Sequence, residues 1–401
     1  SGMQTAQLGE IDKPCVILCH EPVADGLDLE WSDSHRSFFH ALWLRDCCYC
    51  SSCGDSYSSK RYLMPQQIPL DIAMREVSID AEGMLVIVWD NDGHVSRYDP
   101  GWLRRHCYDE TSRNSRFHEA RRWAAEIGEN LPTVAFDTAQ RDDEQRLDMY
   151  RKLRDYGFVV VTGGPAEAGG IEAVAGLIGE LGDSAYTRIF DLSTASSVKT
   201  MGNTLNAVPP HTDEAFRYSP PGINILGCVV PAADGGDSVL IDGFHIAESM
   251  RRDHPAMFEL LCRYEQVFNR IHPGSLDQRN RQRMIECDDR GRVVGIRFHT
   301  RSAGPMDLPA DMVKPYYAAH RQFCSLVMAP ENQVRFRLEA GDSVAFDNHR
   351  VMHSRTAFGD SNRFLQICNV GREEFHERLR LLAARLGFER EADMVLAAGV
   401  S

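Results

Sequence analysis

The chain has 401 residues, enough for two domains, and its 43% hydrophobic content suits a globular protein with a sizeable core. Acidic residues outnumber basic ones by 58 to 44, and the resulting net charge of −14 argues against nucleic acid as a partner. No apolar run reaches the roughly 18 residues that a membrane span needs, so no membrane partner is predicted.

The cysteines and the first residues of the sequence predict a reducing compartment. The opening stretch SGMQTAQLGEIDKPC has no basic patch followed by an apolar run, so no secretory signal is predicted there. Some of the 12 cysteines, such as Cys228 and Cys262, lie in apolar surroundings typical of reduced buried thiols. Others cluster, which without an export signal indicates a metal site. We therefore expect a cytoplasmic protein.

The N-terminal part is predicted to consist of short strands and turns. The stretch MLVIVWDNDGHVSRYD predicts a hairpin around an Asn-Asp-Gly turn. From 103 to 129 the chain becomes polar and has few strand formers, which indicates a boundary or a helical linker. We accordingly predict an N-terminal domain over 1–110, a linker over 111–135 and a second domain over 136–401.

The second domain alternates helical and strand patterns. The stretch GFVVVTGG predicts a buried strand, and both GINILGCVVPAADGGDSVLIDG and VRFRLEAGDSVAFDNHRVMHSRTAF predict strands joined by tight turns. Helices are predicted over 145–156, 170–182 and 245–267. Strands early and late with helices between them predict a mainly β protein, an antiparallel double-sheet barrel with flanking helices.

A cysteine cluster in WLRDCCYCSSC is the first candidate metal site. Zinc takes four soft or borderline ligands in a tetrahedron. Cys48, Cys50 and Cys53 can supply three of them from one loop, and His94 in the later hairpin turn is the candidate fourth. Four ligands close the site, so its role would be structural, and Cys47 would be spare. The alternative is a set of free surface thiols.

A second candidate metal site has only three protein ligands. The stretch VPPHTDEAF holds His211 and Asp213, and DNHRVMHSRT holds His353. Two histidines and one carboxylate on one face of an iron ion leave three positions open, which suits a chelating co-substrate and dioxygen. Each motif is weak alone, because a lone histidine is more often an ordinary core or surface residue.

Two further residues suit a dicarboxylate chelator. Arg363, ten residues after His353, offers a guanidinium fork for the far carboxylate. Ser238, in GGDSVLIDG, offers a hydroxyl donor to the same group.

Taken together, these motifs resemble the γ-butyrobetaine hydroxylase family of Fe(II)- and 2-oxoglutarate-dependent oxygenases. WLRDCCYCSSC is similar to the zinc motif of that family, and PHTDEAF, GGDSVLIDGF and AGDSVAFDNHRVMHSR resemble its catalytic core. The resemblance implies a distorted double-stranded β-helix (jelly-roll) core, a small β-rich zinc domain and a homodimer. It also implies iron on His211, Asp213 and His353, 2-oxoglutarate on Arg363, and hydroxylation with O2 that releases succinate and CO2.

The same resemblance points to the substrate. Members of the family hold a trimethylammonium group in an aromatic cage, since ring faces attract a cation that cannot donate hydrogen bonds. By spacing from His211, Tyr186 and Phe190 fall where the hydroxylase has a tyrosine and a tryptophan. Cage or nearby tyrosines are replaced by Asn203, Glu214 and Asn369. The alternative for Tyr186 and Phe190 is a place among ordinary core aromatics.

A cage in which some aromatic residues are kept and others are replaced by asparagines favours a small zwitterion. Its anionic group would need more hydrogen-bond donors than a carboxylate does. Asn203 and Asn369 would hold that anion, while Asp183 or Glu214 would attract the cation. We expect 2-(trimethylamino)ethylphosphonate, and hence organophosphonate catabolism, with γ-butyrobetaine as the alternative substrate. A non-catalytic metal-binding barrel, acting as sensor or scaffold, is the alternative from another class. A hydroxylase of protein side chains is a further alternative. A narrow pocket closed by 183–206 would argue against so large a substrate.

Overall fold

The computed structural model describes residues 15–194, 206–359, 362–393 and 395–396. It divides into two compact units, the first comprising residues up to 118 with 387–393, and the second comprising 119–386 with 395–396. Each unit has a hydrophobic core of its own. Among the described helices, none combines the length and the apolar character needed to cross a membrane.

The first unit consists of short antiparallel strands and short helices. Its strands are β1 Ile17–Val23, β2 Gly26–Trp31, β3 Arg36–His40, β4 Gly54–Asp55, β5 Lys60–Arg61, β6 Met74–Ile79, β7 Leu85–Trp89, β8 Val95–Tyr98 and β9 Phe117–His118. Its helices up to that point are α1 Ala41–Asp46, α2 Pro100–Arg105 and α3 Glu110–Ser115. The predicted hairpin is present as β7 and β8, and the buried residues of β2 and β7 alternate along each strand. Each sheet therefore turns one face to the core, around Trp31 and Trp89.

The second unit carries the larger sheets. Its strands are β10 Thr133–Ala135, β11 Phe158–Thr162, β12 Phe190–Leu192, β13 Val208–His211, β14 Ile223–Val230, β15 Ser238–Asp242, β16 Glu265–His272, β17 Leu276–Arg283, β18 Ile285–Cys287, β19 Val293–Ile296, β20 Val334–Phe336, β21 Ser343–Asp347, β22 Val351–Arg355, β23 Phe364–Val370 and β24 Val395–Leu396. Its helices are α4 Phe136–Arg141, α5 Asp143–Tyr156, α6 Ile171–Gly176, α7 Gly243–Asp253, α8 Pro255–Arg263, α9 Val313–Met328 and α10 Arg372–Arg385, and α11 Glu389–Ala392 follows in the segment that joins the first unit.

Two sheets form the core of the second unit. The major sheet has the strand order β10-β11-β21-β14-β23-β12, and the minor sheet has the order β13-β22-β15-β20. Apart from the parallel pair β10 and β11, neighbouring strands run antiparallel. One cluster of buried side chains contains residues of both sheets, among them Phe346 of the major and Leu240 of the minor sheet. Two facing antiparallel sheets with flanking helices are a double-stranded β-helix, so the predicted fold class is confirmed.

Three helices cover the outer face of the minor sheet, where Ile241 and Met352 join side chains of α7, α8 and α9 in one core cluster. The single helix predicted over 245–267 is wrong. It is two helices, because Pro255 cannot continue the hydrogen bonding of α7 and instead begins α8, and from Glu265 the chain is strand β16. The helix predicted over 170–182 is shorter, Ile171–Gly176.

A buried ion pair joins the minor sheet to its surroundings. Arg350, fully buried before β22, makes a bidentate contact with Asp242 at the end of β15, with two N–O distances of 3.0 Å. The same guanidinium donates to the carbonyl oxygens of Asp155 (2.9 Å) and Arg121 (2.8 Å). Asp242 also accepts from the backbone N–H of Trp123 and caps α7. The opposite charges of Arg350 and Asp242 compensate each other, and the hydrogen bonds to the backbone satisfy further donors and acceptors of the pair.

We predict that Asp242→Ala lowers the free energy of unfolding by about 3–5 kcal/mol, because it leaves the Arg350 charge buried without a counter-ion. Denaturant unfolding followed by circular dichroism measures the loss. Arg252→Ala, which removes the exposed pair with Asp253, is the control and should change stability little. Equal losses in the two variants would contradict the role given to the buried pair.

Candidate active site

Two histidines face each other across neighbouring strands of the minor sheet. His211 ends β13 and lies opposite His353 of β22 in the antiparallel register, with ring centroids 4.2 Å apart. Asp213 follows two residues later, and its Oδ1 lies 3.1 Å from His211 Nε2 and 3.5 Å from His353 Nε2. The three predicted ligand atoms therefore converge closely enough for one ion to contact them all.

Protonation in this cluster suits metal binding. His211 Nδ1 lies 2.8 Å from the carbonyl oxygen of Pro209, which only accepts, so Nδ1 is the donor and Nε2 is the ring nitrogen on the side of Asp213 and His353. Burial lowers the pKa of His353 to about 4, so this ring is neutral at neutral pH. Burial alone would raise the pKa of the Asp213 carboxyl, but His353 and His211 hold that pKa well below its ordinary value. Two imidazoles and one carboxylate are a fitting donor set for Fe(II).

Two asparagines that the sequence analysis missed hold Asp213 in place. Asn224, on β14 of the major sheet, donates from Nδ2 to Asp213 Oδ2 at 2.7 Å. Asn348, which is 1% exposed, accepts from the Asp213 backbone N–H at 2.7 Å and donates to the Asp213 carbonyl oxygen at 3.1 Å. Its amide also donates to the Pro221 carbonyl at 3.0 Å, so it fixes both ends of the loop that carries the carboxylate.

The three convergent residues lie in a cavity of about 730 Å³. That volume is in the range of pockets that hold small molecules. Most predicted site residues line the cavity: His211, Asp213 and His353, Ser238 and Arg363, and Tyr186, Phe190, Glu214 and Asn369. Asp183 is absent from the described lining, and its carbonyl oxygen accepts a hydrogen bond from Arg217 at 3.5 Å. Asn203 lies outside the described residues.

One part of the cavity holds two buried guanidinium groups. Arg363, just before β23, and Arg355, on β22, lie over the ring of Phe358 at 5.0 and 4.8 Å from its centroid. Burial, reinforced by Arg355, lowers the pKa of Arg363 to about 10, so it still carries its charge at neutral pH. Ser238 lies opposite Arg355 in the strand register. Two buried guanidinium groups beside a hydroxyl favour a carboxylate ligand. Of these residues, Arg355 was not predicted from the sequence.

The predicted aromatic pair is present, but it has a neighbour that the sequence analysis did not foresee. Tyr186 and Phe190 contact each other with ring centroids 4.9 Å apart. Arg270 of β16 places its guanidinium carbon 4.4 Å from the centroid of Tyr186. His299 and Arg301, after β19, also line the cavity, and burial lowers the pKa of His299 to about 3. The period-two pattern in QVFNRIH and in LDQRNRQR was the signal that could have located the hairpin carrying Arg270.

The predicted zinc ligands also come together, within the first unit. The sulfur atoms of Cys48, Cys50 and Cys53 each lie 3.5 Å from His94 Nε2. In a tetrahedron with bonds of about 2.3 Å to sulfur and about 2.0 Å to nitrogen, these ligands lie about 3.5 Å apart. Arg45 donates a hydrogen bond to the Cys53 sulfur at 3.3 Å, which holds this side chain in place. The four ligands therefore fit one zinc ion.

Sequence comparisons agree with this geometry. A model of the family described as "Taurine catabolism dioxygenase TauD, TfdA family" matches residues 116–369, and a model of the γ-butyrobetaine hydroxylase-like N-terminal domain matches 21–104. The chain belongs to the TauD/TfdA family, in its γ-butyrobetaine hydroxylase-like branch. The resemblance drawn from the motifs and the predicted class, an Fe(II)- and 2-oxoglutarate-dependent dioxygenase, are thus confirmed. Membership in this dioxygenase family favours the enzyme over the sensor or scaffold alternative.

Several individual proteins are similar to this family member. Gamma-butyrobetaine dioxygenase of Pseudomonas sp. (strain AK-1) is 35% identical, over 90% of this chain and 94% of that protein. Trimethyllysine dioxygenase of Meyerozyma guilliermondii is 27% identical, over 89% of this chain and 94% of that protein. A crystal structure of a putative α-ketoglutarate-dependent taurine dioxygenase from Burkholderia xenovorans aligns with a TM-score of 0.46 and 15% identity, over 63% of this chain and 92% of that one.

We predict that Asn348→Ala weakens Fe(II) binding about 10- to 100-fold, because the loop carrying Asp213 loses the Asn348 hydrogen bonds at both of its ends, Asp213 and Pro221. Anaerobic titration with Fe(II) measures the dissociation constant. Asn332→Ala is the matched control, since Asn332 is also buried but donates to the Leu326 carbonyl at the end of α9. Unchanged iron affinity in Asn348→Ala would contradict a positioning role.

Proposed function

We propose that this dioxygenase hydroxylates an unactivated carbon of a small zwitterion that carries a quaternary ammonium group, and that the zwitterion is 2-(trimethylamino)ethylphosphonate. The observation that carries the proposal is the cavity itself. Two histidines and a carboxylate converge there beside buried arginines, in about 730 Å³. A cavity of this volume can hold a co-substrate and a small substrate together. It favours a small-molecule enzyme over a hydroxylase of folded proteins and over a non-catalytic scaffold.

In the proposed site, His211, Asp213 and His353 hold Fe(II). When bound together, Fe(II) and 2-oxoglutarate supply the oxidising chemistry, in which O2 is consumed and succinate and CO2 are released. Asn224 and Asn348 keep the Asp213 carboxylate in place during binding. Arg363 and the Ser238 hydroxyl bind the far carboxylate of 2-oxoglutarate, which orients the co-substrate in the cavity. The apolar wall around Phe190 excludes water from the reacting carbon.

The relatives and the cavity wall both support this substrate class. The two relatives are named for γ-butyrobetaine and trimethyllysine, which both carry a trimethylammonium group. Tyr186 and Phe190 add aromatic surface to the cavity, and the buried carboxylate of Glu214 adds negative charge. Aromatic faces and a carboxylate suit a cation that cannot donate hydrogen bonds.

The balance of charge in the cavity supports a phosphonate as the anionic end of the substrate. The described lining contains two carboxylates, Asp213 and Glu214, against four arginines, namely Arg270, Arg301, Arg355 and Arg363. The distal carboxylate of 2-oxoglutarate needs only one guanidinium fork. The excess of positive charge, together with the amide of Asn369, favours a phosphonate over a carboxylate as the second anion. γ-Butyrobetaine is the second candidate, because of the similarity to gamma-butyrobetaine dioxygenase.

Arg363→Lys should raise the KM for 2-oxoglutarate about 10- to 100-fold, because an ammonium cannot reproduce the bidentate fork and a hydrogen bond to a charged group contributes about 1.5–3 kcal/mol. Succinate release as a function of 2-oxoglutarate concentration measures the change. A KM equal to that of the native enzyme would transfer this role to another residue, with Arg355 the first to be tested.

We further propose that Cys48, Cys50, Cys53 and His94 bind one structural zinc ion, and that the protein is a homodimer. The equal sulfur–nitrogen distances around His94 Nε2 support the zinc site. The homodimer follows from the family resemblance, and light scattering would test it.

Metal analysis of the purified protein should find one zinc per chain in addition to iron. Cys50→Ser should lose the zinc and lower the melting temperature of the N-terminal unit, since a structural ion contributes to folding. Cys47→Ser should keep the zinc, because Cys47 does not belong to the four-ligand group. Zinc retained in full by Cys50→Ser would refute the assignment.

The substrate proposal is tested by comparing 2-(trimethylamino)ethylphosphonate with γ-butyrobetaine, each scored as hydroxylated product per succinate. We expect a ratio near one for the phosphonate and a lower ratio for the carboxylate, because only a well-placed C–H bond couples the two half-reactions. Asp213→Ala, which removes a proposed iron ligand, is the blank. Coupled turnover of γ-butyrobetaine alone would make the second candidate the substrate.

A further inference from the structure

Two cysteines of the second unit lie side by side on neighbouring elements. Cys262 is near the end of α8, Cys287 ends β18, and their sulfur atoms are 3.7 Å apart. Both side chains are half-buried, so Cys262 is not the fully buried thiol that its apolar surroundings in the sequence predicted. Two thiols this close need only a short approach of their sulfur atoms to form a disulfide.

The two thiols differ in how readily they lose a proton. The hydrogen bond between them lowers the pKa of Cys287 and raises the pKa of Cys262, because the Cys262 thiol donates to the Cys287 sulfur. The charge of Arg251 also lowers the pKa of Cys287, whereas burial and the carboxylates of Glu248 and Asp288 act against this. Since the thiolate is the reactive form of cysteine, Cys287 is suited to attack and Cys262 to complete the disulfide.

The pair lies at the base of the β16–β17 hairpin. Cys262 comes shortly before β16 begins at Glu265, and Cys287 comes shortly after β17 ends at Arg283. A bond between the two sulfur atoms would therefore close a loop that contains the whole hairpin. Residues 269–272 of β16 line the cavity, so the loop would include a part of the cavity wall.

We propose that Cys262 and Cys287 are a site of reversible oxidation, at which a hydroperoxide forms a disulfide that clamps the base of the β16–β17 hairpin. The Cys287 thiolate attacks a peroxide oxygen, the O–O bond breaks, and the sulfur becomes a sulfenic acid while the leaving oxygen takes a proton. The Cys262 sulfur then attacks the sulfenic sulfur. The S–S bond forms, the S–O bond breaks, and the hydroxyl leaves as water with the Cys262 proton.

The electrons balance in this sequence of steps. The two thiols lose two electrons, and hydrogen peroxide gains them and becomes two molecules of water. A small dithiol returns the pair to the reduced state by thiol–disulfide exchange. The bond removes conformations from the unfolded chain, so the oxidised protein should be the more stable form.

A peptide map tests whether the bond forms. The purified protein, with Mn(II) in place of iron so that the metal does not itself react, is treated with a slight excess of hydrogen peroxide. Free thiols are then blocked, and trypsin cleaves after the arginines. The peptides 253–263 and 284–290 each contain one cysteine, and we expect them to be joined, with the loss of two hydrogen atoms. A dithiol should separate them again.

Serine variants test which residues carry the reaction. Cys262→Ser and Cys287→Ser should each abolish the joined peptide. Cys324→Ser is the matched control and should keep it, because Cys324 is also half-buried and packs against the same core cluster. Dimedone, which traps sulfenic acids, should label Cys287 in Cys262→Ser more strongly than it labels Cys262 in Cys287→Ser. Stronger labelling of Cys262 would reverse the proposed order of attack.

Thermal unfolding tests the clamp. Oxidation should raise the melting temperature of the native protein by about 5 °C, the shift expected for one added disulfide in a domain of this size. The same treatment of Cys262→Ser should give no such rise. Peptides 253–263 and 284–290 that stay separate after peroxide treatment would overturn the oxidation site. Joined peptides without a rise in melting temperature would overturn the clamp.

Discussion

The buried contact between Arg350 and Asp242 is the constraint on which the geometry of the second unit depends. It ties the end of β15 to the residue just before β22, and through the Asp155 and Arg121 carbonyls it reaches the α5–β11 region and the segment before it. A buried charge without its partner costs several kcal/mol, so the strands cannot slip past each other without a large loss. The space around the pair is also full, since a Cβ at Gly157, whose φ is +75°, would lie 2.9 Å from the Arg350 side chain.

This fixed register positions the histidines that are proposed to bind iron. His353 is three residues beyond Arg350, so the ion pair also sets its position opposite His211. Asp213 is off the sheet and depends on Asn224 and Asn348 instead. The site is therefore held by two kinds of support, strand register for the histidines and side-chain hydrogen bonds for the carboxylate.

The parts of the site that the sequence could predict are those carried by short motifs. His211 and Asp213 are neighbours in the chain, and the three cysteines around Cys50 lie in one loop, so local spacing was sufficient. Asn224 and Asn348 could not be found in this way, because each acts on a residue more than ten positions away through the folded arrangement. Arg270 was missed because its strand follows directly on a true helix, and the helical pattern was extended too far. Likewise, the sequence located Tyr186 but could not show that an arginine covers its ring.

The hairpin of β16 and β17 forms a two-stranded sheet of its own, outside the two sheets that carry His211 and His353. The residues proposed to bind the metal and those that the hairpin contributes to the cavity therefore belong to separate structural modules. Mutations in the hairpin can change the shape and charge of the cavity while the strands of the core keep their pairing. Such an arrangement lets evolution, or a protein engineer, exchange one small-molecule preference for another by grafting a single hairpin onto an unchanged oxidative core.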